Sequence, residues 1–510
     1  MRFTAALINA DLVHPNYLHQ DREFETNAEE RARALLWQMR SGKSKAVIDK
    51  SCHLFRRGLI DGVLIFAPNG VHANWLEREL PAHGWKTMKH RALVWRSAVG
   101  SAKAGGRLSK QNAAVWSAAR TSWWSDLKSS KHNKGKILYW LSINSESMTR
   151  DDVRKAVAYF AKHFPRLHIV YDESDDFGIP GSKRTKMARA VARRGAFNTI
   201  LSGTTVTASP LAAFSQFELL KKGALGFERY DDFKDRYAEY EEGFGPGGRS
   251  FPKLVCYKNL DELRQRMALF SSVVLREDCH DMPDVVPLPP KRIKPTPEQR
   301  KVYESMLRDF IADVGTRKLE FNERTNRLLK LQQVFSGFIK DAQGRTVQIP
   351  GENPRLEAIS DEVYFAPGKV IIWCEFQFDQ DAVMKRLLGD GHKVVAYHGR
   401  VSDAEKSKSL QQFREDRDTK AVIAHPASGG RGLDFSATAL IVAYSHTFKA
   451  RLRAQMIERA TKIGGKNIQL LDFIAPGPDS YIRATTESRM NVADDLAGKG
   501  MKTFLEGMRL

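Results

Sequence analysis

The sequence predicts an α/β protein with two parallel-sheet lobes and a helical, charged segment between them. Three observations carry that expectation. Short apolar runs recur in two separate regions, with helix-like stretches between successive runs, which is the pattern of strands buried on both faces of a parallel sheet. The intervening region lacks such runs and is rich in charge. A chain of 510 residues has room for about two to four domains with sizeable cores.

Residues 1–225 form the predicted first lobe, with strands at Val63–Pro68, Ile137–Leu141, Leu167–Tyr171 and Thr199–Ser202. Residues 226–345 form the predicted helical connector or protrusion. Within it Gly243–Gly248 is a loop. The stretch from Pro283 to Pro297 also holds Pro287, Pro289, Pro290 and Pro295, and so reads as extended chain. Residues 298–338 then read as helical. Residues 346–510 form the second lobe, with strands at Lys369–Trp373, Lys393–Tyr397, Lys420–Ala424, Ala439–Ala443 and Gln469–Asp472. Two such lobes imply a cleft at strand C-terminal ends, where α/β sheets bind ligands.

Charge narrows the partners. Lys and Arg number 81 against 60 Asp and Glu, a formal net charge of +21. That excess favours a polyanion, nucleic acid before membrane, although a basic enzyme of another kind also fits. Cys52, Cys256, Cys279 and Cys374 show neither Cys-x-x-Cys nor zinc-like His spacing. This argues against structural zinc and a disulfide framework, and fits a reducing cytoplasm. No apolar run approaches the ~18–20 residues that span a bilayer, and the residues after Met1 begin no convincing signal peptide.

The chemistry starts at Gln38-Met39-Arg40-Ser41-Gly42-Lys43-Ser44, which opens a predicted helix. A helix N-terminus offers free N–H groups to phosphates, a lysine reaches the β/γ-phosphates, and a serine hydroxyl can ligate Mg²⁺. The full phosphate-loop pattern wants glycine five residues before Gly42, where this chain has Trp37. Downstream, the run His168-Ile169-Val170-Tyr171 ends in Asp172-Glu173. Paired carboxylates at a strand tip suit metal-assisted hydrolysis, the aspartate holding Mg²⁺ and the glutamate polarising water. A solvated acidic turn capping the next helix is the alternative.

Residues 85–136 hold twelve Lys and Arg, one acid (Asp126) and five of the nine tryptophans. Lys103, Arg107 and Lys110 with Trp123 and Trp124 suit phosphate contacts and base stacking; equally, the tryptophans can be core of the first lobe. A second basic run, Lys183-Arg184-Thr185-Lys186 with Arg189, Arg193 and Arg194, reads as an exposed helix.

Taken together, the motifs resemble superfamily-two helicases, in particular the Swi/Snf-like branch and its compact phage-type members. His19-Gln20 looks like the adenine-reading glutamine motif, Met39–Ser44 like motif I, and Ile65–Pro68 with Asn74-Trp75 like motif Ia. Asp172-Glu173 resembles motif II, and Leu201–Thr205 resembles motif III. In the second half, Ile372–Phe376 falls where motif IV does. Ser428–Asp434 resembles motif V, and Gln455–Gly464 resembles motif VI. The resemblance implies two RecA-like lobes that bind ATP and Mg²⁺. Lys43, Asp172, Glu173 and Arg459 would be catalytic; Gln20, Met39, Arg40, Ser41, Gly42, Ser44, Asp434 and Lys462 would contact nucleotide, and Ser44 and Asp172 would hold the metal.

Four departures stand out: Arg40 where motif I commonly has glycine, Asp175 for histidine, Thr205 for proline, and Lys462 for the second motif VI arginine. Lysine lacks the bidentate fork of arginine, so Arg459 is the preferred arginine finger. The implied activity is ATP-driven helicase or translocase action on duplex or branched DNA by a monomer, with replication or recombination proteins as further partners. A translocating subunit of a restriction or anti-restriction assembly, or a nucleic-acid-binding module with a degenerate ATP site, are the alternatives.

Overall fold

In the computed structural model, strand β1 (Ala32–Trp37) turns Ala34 and Leu36 to one side and Leu35 and Trp37 to the other, and all four are buried. A strand of this kind needs cover on both faces. The structure describes residues 11–38, 41–69, 71–96, 117–118, 120–125, 127, 135–203, 210–244, 250–275, 283–316, 321–341, 343–427, 435–447, 449–461, 465–475, 477–480 and 482–483.

The first sheet adds β2 (Gly62–Ala67), β3 (Lys89–Trp95), β4 (Ile137–Asn144), β5 (Leu167–Tyr171) and β6 (Gly195–Leu201). With the later β9 (Ser271–Val274) its order is β3-β4-β2-β5-β6-β1-β9, and every pairing is parallel. One face packs against α1 (Leu18–Asn27), α2 (Lys43–Arg56) and the short helical turns between Val71 and His83. The other packs against α3 (Asp151–His163) and α4 (Lys183–Ala192).

This lobe runs well past residue 225. Helices α5 (Tyr230–Tyr237) and α6 (Leu260–Ala268) bury Phe233, Tyr237, Leu263 and Met267 in the same core, and β9 pairs with β1. The antiparallel hairpin β7 (Ala238–Phe244) and β8 (Ser250–Tyr257) lies between these helices. Ser271-Ser272-Val273-Val274 is short and half polar, so its place at the sheet edge is set by β1 and not by a strong pattern of its own.

The proline-rich stretch is extended, yet it does more than connect. Its strands β10 (Val285–Pro287) and β11 (Lys291–Arg292) both pair with the last strand of the second sheet. An edge position accepts proline, whose missing N–H would break an interior ladder. Helices α7 (Pro297–Thr316) and α8 (Phe321–Phe335) follow, then the small hairpin β12 (Phe338–Lys340) and β13 (Thr346–Gln348).

The second sheet contains β14 (Lys369–Trp373), β15 (Lys393–Tyr397), β16 (Thr419–Ala424), β17 (Thr438–Ala443) and β18 (Ile468–Ile474), ordered β10-β18-β17-β14-β16-β15. Its helices are α9 (Pro354–Phe365), α10 (Gln377–Gly389), α11 (Asp403–Glu415) and α12 (Ala450–Glu458). Two parallel-sheet lobes of mixed α/β type are therefore present. Among the described residues no helix is long and apolar enough to cross a membrane.

Candidate functional site

Helix α2 begins where β1 ends, and Gly42 makes the turn. Its φ of +83° is left-handed, and a Cβ there would sit 2.2 Å from the Gln20 side-chain nitrogen. Glycine is the residue that meets both demands without strain. Gln20 Nε2 donates to the Gly42 carbonyl at 3.0 Å, while Gln20 Oε1 accepts from the Tyr17 N–H at 2.8 Å. His19 Nε2 lies 2.7 Å from the Ser41 carbonyl, and the Ser41 hydroxyl donates to the Gln38 carbonyl at 2.7 Å. The N-terminal helix thus braces the loop through two successive side chains. That role for Gln20, and the one for His19, was not visible in the sequence.

Lys43 is the first residue of α2, and its ammonium donates to the carbonyls of Trp37 (2.7 Å) and Gln38 (3.1 Å) at the end of β1. Burial pushes it below the ordinary lysine range. The carboxylates of Glu173, Asp172, Glu458 and Asp175 pull it back up. Three of those four acids come from the tip of β5 and the turn after it, and Glu458 comes from α12 of the second lobe. Lys43 therefore feels acids from both lobes, while its ammonium is bonded to the backbone carbonyls at the end of β1.

Asp172 and Glu173 follow β5 directly. The Trp75 indole donates to Asp172 Oδ2 at 2.9 Å, and the Asp172 N–H donates to the Phe66 carbonyl at 2.8 Å. Trp75 fixes one carboxylate oxygen, a contact the sequence alone could not assign. Glu173 has φ +53° and ψ +58° and is 7% exposed. A left-handed glutamate costs on the order of 1–3 kcal/mol, and such strain gathers at functional positions.

Ser44 and Asp172 offer the hard oxygen donors that suit Mg²⁺. Among the described residues no group of three or more His, Cys, Asp or Glu is placed as a metal cage. Mg²⁺ bound by one or two protein oxygens and substrate phosphates needs none, so the donor set fits.

Arg459 closes α12. It is 5% exposed, with its guanidinium 3.3 Å from the Pro426 carbonyl, 3.4 Å from Gln455 Oε1, and 5.6 Å from the centre of the Trp373 ring. In this conformation it is turned into the second lobe. Met39, Arg40, Asp434, Lys462, Lys103, Arg107 and Lys110 lie outside the described residues, as does Thr205.

The tryptophans resolve toward packing. Trp123 is 2% exposed and stacks on Phe160 (5.6 Å between centroids), so the expectation that it stacks bases is corrected: its indole fills the core of the first lobe. Trp85 and Trp95 are buried as well. Trp124 is half-buried against Trp123 and Tyr159. The second basic run forms α4, with Lys183 and Lys186 exposed.

The fold is that of a two-lobed α/β protein in which a helix opening at Gly42-Lys43 and the Asp172-Glu173 strand tip belong to the first sheet's C-terminal side. More particularly, residues 355–464 match the helicase conserved C-terminal domain. The chain is similar to the "uncharacterized ATP-dependent helicase" of Mycoplasma genitalium, 23% identical over 323 residues, covering 60% of this chain and 28% of the relative. It is also similar to a Caenorhabditis elegans homolog of SWI/SNF-related matrix-associated actin-dependent regulator of chromatin subfamily A-like protein 1. There identity is 22% over 314 residues, covering 60% of this chain and 42% of the relative. The chain thus spans well under half the length of these curated relatives. Among solved structures, the Sulfolobus solfataricus SWI2/SNF2 ATPase core in complex with dsDNA aligns with a TM-score of 0.38 and 17% identity, over 97% of this chain and 96% of that one.

Proposed function

We propose that this chain is a nucleic-acid-dependent ATPase of the Swi/Snf-like helicase type that moves along duplex or branched DNA. The observation that carries the proposal is the left-handed Gly42 turn that sets a buried Lys43 at the start of α2, with the Asp172-Glu173 tip of β5 and Glu458 of the other lobe acting on its charge. The net charge of +21 supports an anionic track. DNA as that track, and the phage-type affinity, rest on the sequence resemblance.

In this reading Lys43 exchanges the Trp37 and Gln38 carbonyls for nucleotide phosphates. Gln20 braces the loop through Gly42, and its reading of adenine rests on the resemblance to the glutamine motif. Ser44 and Asp172 would hold Mg²⁺, which would neutralise phosphate charge as a Lewis acid. Glu173, kept in its strained conformation beside the cleft, orients and polarises the attacking water. Arg459 leaves Pro426 and Gln455 as the second lobe closes and reaches the γ-phosphate, a contribution of about 10³–10⁵ in rate. Opening and closing then shift the lobes' grip on the DNA backbone.

The test is ATP hydrolysis by the full chain with duplex, forked, single-stranded and RNA ligands. Lys43→Ala and Glu173→Gln each abolish nucleic-acid-stimulated turnover while leaving binding to the same ligand intact. Unchanged turnover in either variant would remove the site from the mechanism.

A further inference from the structure

We infer that His168 is a positioning residue of the ATP site, one that holds the phosphate-loop helix in register with the strand carrying Asp172 and Glu173. The inference rests on the ATPase reading above and adds a residue to it. His168 is fully buried in β5. Its Nδ1 lies 2.9 Å from the Ser51 hydroxyl of α2, and its Nε2 lies 2.8 Å from the Thr199 hydroxyl of β6. The Ser51 hydroxyl is also 2.8 Å from the Val47 carbonyl.

Proton accounting fixes the arrangement. Ser51 has one proton, and it goes to the Val47 carbonyl, so Ser51 Oγ accepts from Nδ1–H. The neutral ring then leaves Nε2 bare, and Thr199 donates to it. Each proton is used once. Burial and the positive charge of nearby Lys50 keep the imidazole neutral, well below its ordinary pKa.

The ring therefore joins three elements of the site. Lys43 and Ser44 open α2, and Ser51 lies two turns further along it. Asp172 follows His168 by four residues, on the same face by the period of two. Thr199 precedes Ser202, where β6 runs into the segment read as motif III. Between Ser51 and the Lys43 bonds at its start, α2 meets the sheet through Val47 and Ile48, and apolar packing is non-directional. Two directional bonds through one ring set the sliding register that apolar packing leaves soft. A shift of about 1 Å between catalytic groups can cost ~10²-fold in rate.

The experiment uses the full chain with saturating duplex DNA. Thr199→Val is isosteric and removes the proton given to Nε2; Ser51→Ala removes the other partner. Thr199→Val is expected to lower kcat about tenfold or more, with the KM for ATP within about threefold of wild type and the protein still folded, its melting temperature lowered only modestly by the unpaired Nε2. The double variant is expected to be little worse than the more damaging single one, because both act through one ring. In parallel, ¹⁵N-histidine spectra are expected to show His168 protonated at Nδ1, with its signal moving when Mg²⁺ and a non-hydrolysable ATP analogue are added.

Wild-type kcat in folded Thr199→Val, a fall in kcat matched by a loss of folded protein, or a His168 signal indifferent to nucleotide would each overturn the assignment. If wild type hydrolyses no ATP with any nucleic acid, the ATPase reading fails instead. The nucleotide titration then still decides whether His168 is coupled to the loop.

Discussion

Behind the acidic strand of lobe one the polar link is neutral, Ser51 to His168 to Thr199, whereas lobe two buries formal charge behind the corresponding end of its sheet. Arg355 and Asp479 are fully buried and paired, with Gln332 donating to Asp479 Oδ1 at 2.8 Å and Arg355 Nη1 donating to the Tyr444 carbonyl at 2.8 Å. Arg453 grips Asp472 through two bonds of 2.9 and 2.8 Å. A neutral link of hydroxyls and imidazole tunes position at modest cost to stability. A buried ion pair makes the fold depend on every member, because removing one strands the other. The link beneath Asp172 and Glu173 is thus neutral, and the second sheet beside α12 is braced by charge, while lobe one keeps its own buried pair, Lys45 with Asp49, further along α2.

The largest expected effect of that difference is on stability. Arg355→Ala leaves Asp479 buried without its partner and should destabilise the protein by about 3–5 kcal/mol, read by urea unfolding of the full chain. Replacing both residues together with apolar ones of similar size should recover much of the loss. If Arg355→Ala costs no more than Thr199→Val, the contrast between the lobes is wrong.

A smaller effect follows from two buried carboxyls in the second lobe, Asp379 and Glu375. Burial, its largest cause, raises Asp379 to about 7, and burial likewise raises Glu375 to about 7. Both keep their protons up to that pH when folded but lose them near pH 4 when unfolded, taking about 4 as the ordinary carboxyl value. The folded state binds more protons across this window, so stability falls as pH rises from about 4 to 7 and is level above it. Asp379→Asn should flatten that slope, measured as the difference in unfolding free energy between pH 5 and pH 8. An unchanged slope would show that Asp379 ionises normally.

The smallest expected change sits in the loop. Gly42→Ala must hold a left-handed residue and displace the Gln20 amide, at a cost on the order of 1–2 kcal/mol. It should raise the KM for ATP more than it lowers the melting temperature. Equal nucleotide affinity in this variant would show that Gln20 does not brace the loop.

Much of this arrangement could be read from the chain, and the physical reasons separate what could from what could not. Lys369–Trp373 and Leu167–Tyr171 are continuous apolar runs, which only a doubly covered strand tolerates, so they were legible. Val285–Pro287 carries no signal saying which sheet it joins; that depends on β18, far along the chain. Ser271–Val274 is similar. Within the site, Gly42-Lys43-Ser44 and Asp172-Glu173 were legible because their chemistry is local. The Trp75–Asp172 bond, the Gln20–Gly42 brace and the His168 link were not, since each depends on contacts between elements that are not consecutive. Trp123 was ambiguous for the same reason: a tryptophan among lysines reads alike as a stacking platform or as core. The inward turn of Arg459 is a rotamer, which no sequence pattern encodes.

The central claim is that the cleft around Lys43 hydrolyses ATP in response to nucleic acid. The most direct test is the steady-state ATP turnover of the wild-type full chain, measured with and without duplex DNA. The account predicts turnover that rises with added duplex and saturates. Absence of hydrolysis with duplex, forked, single-stranded or RNA ligands would contradict it.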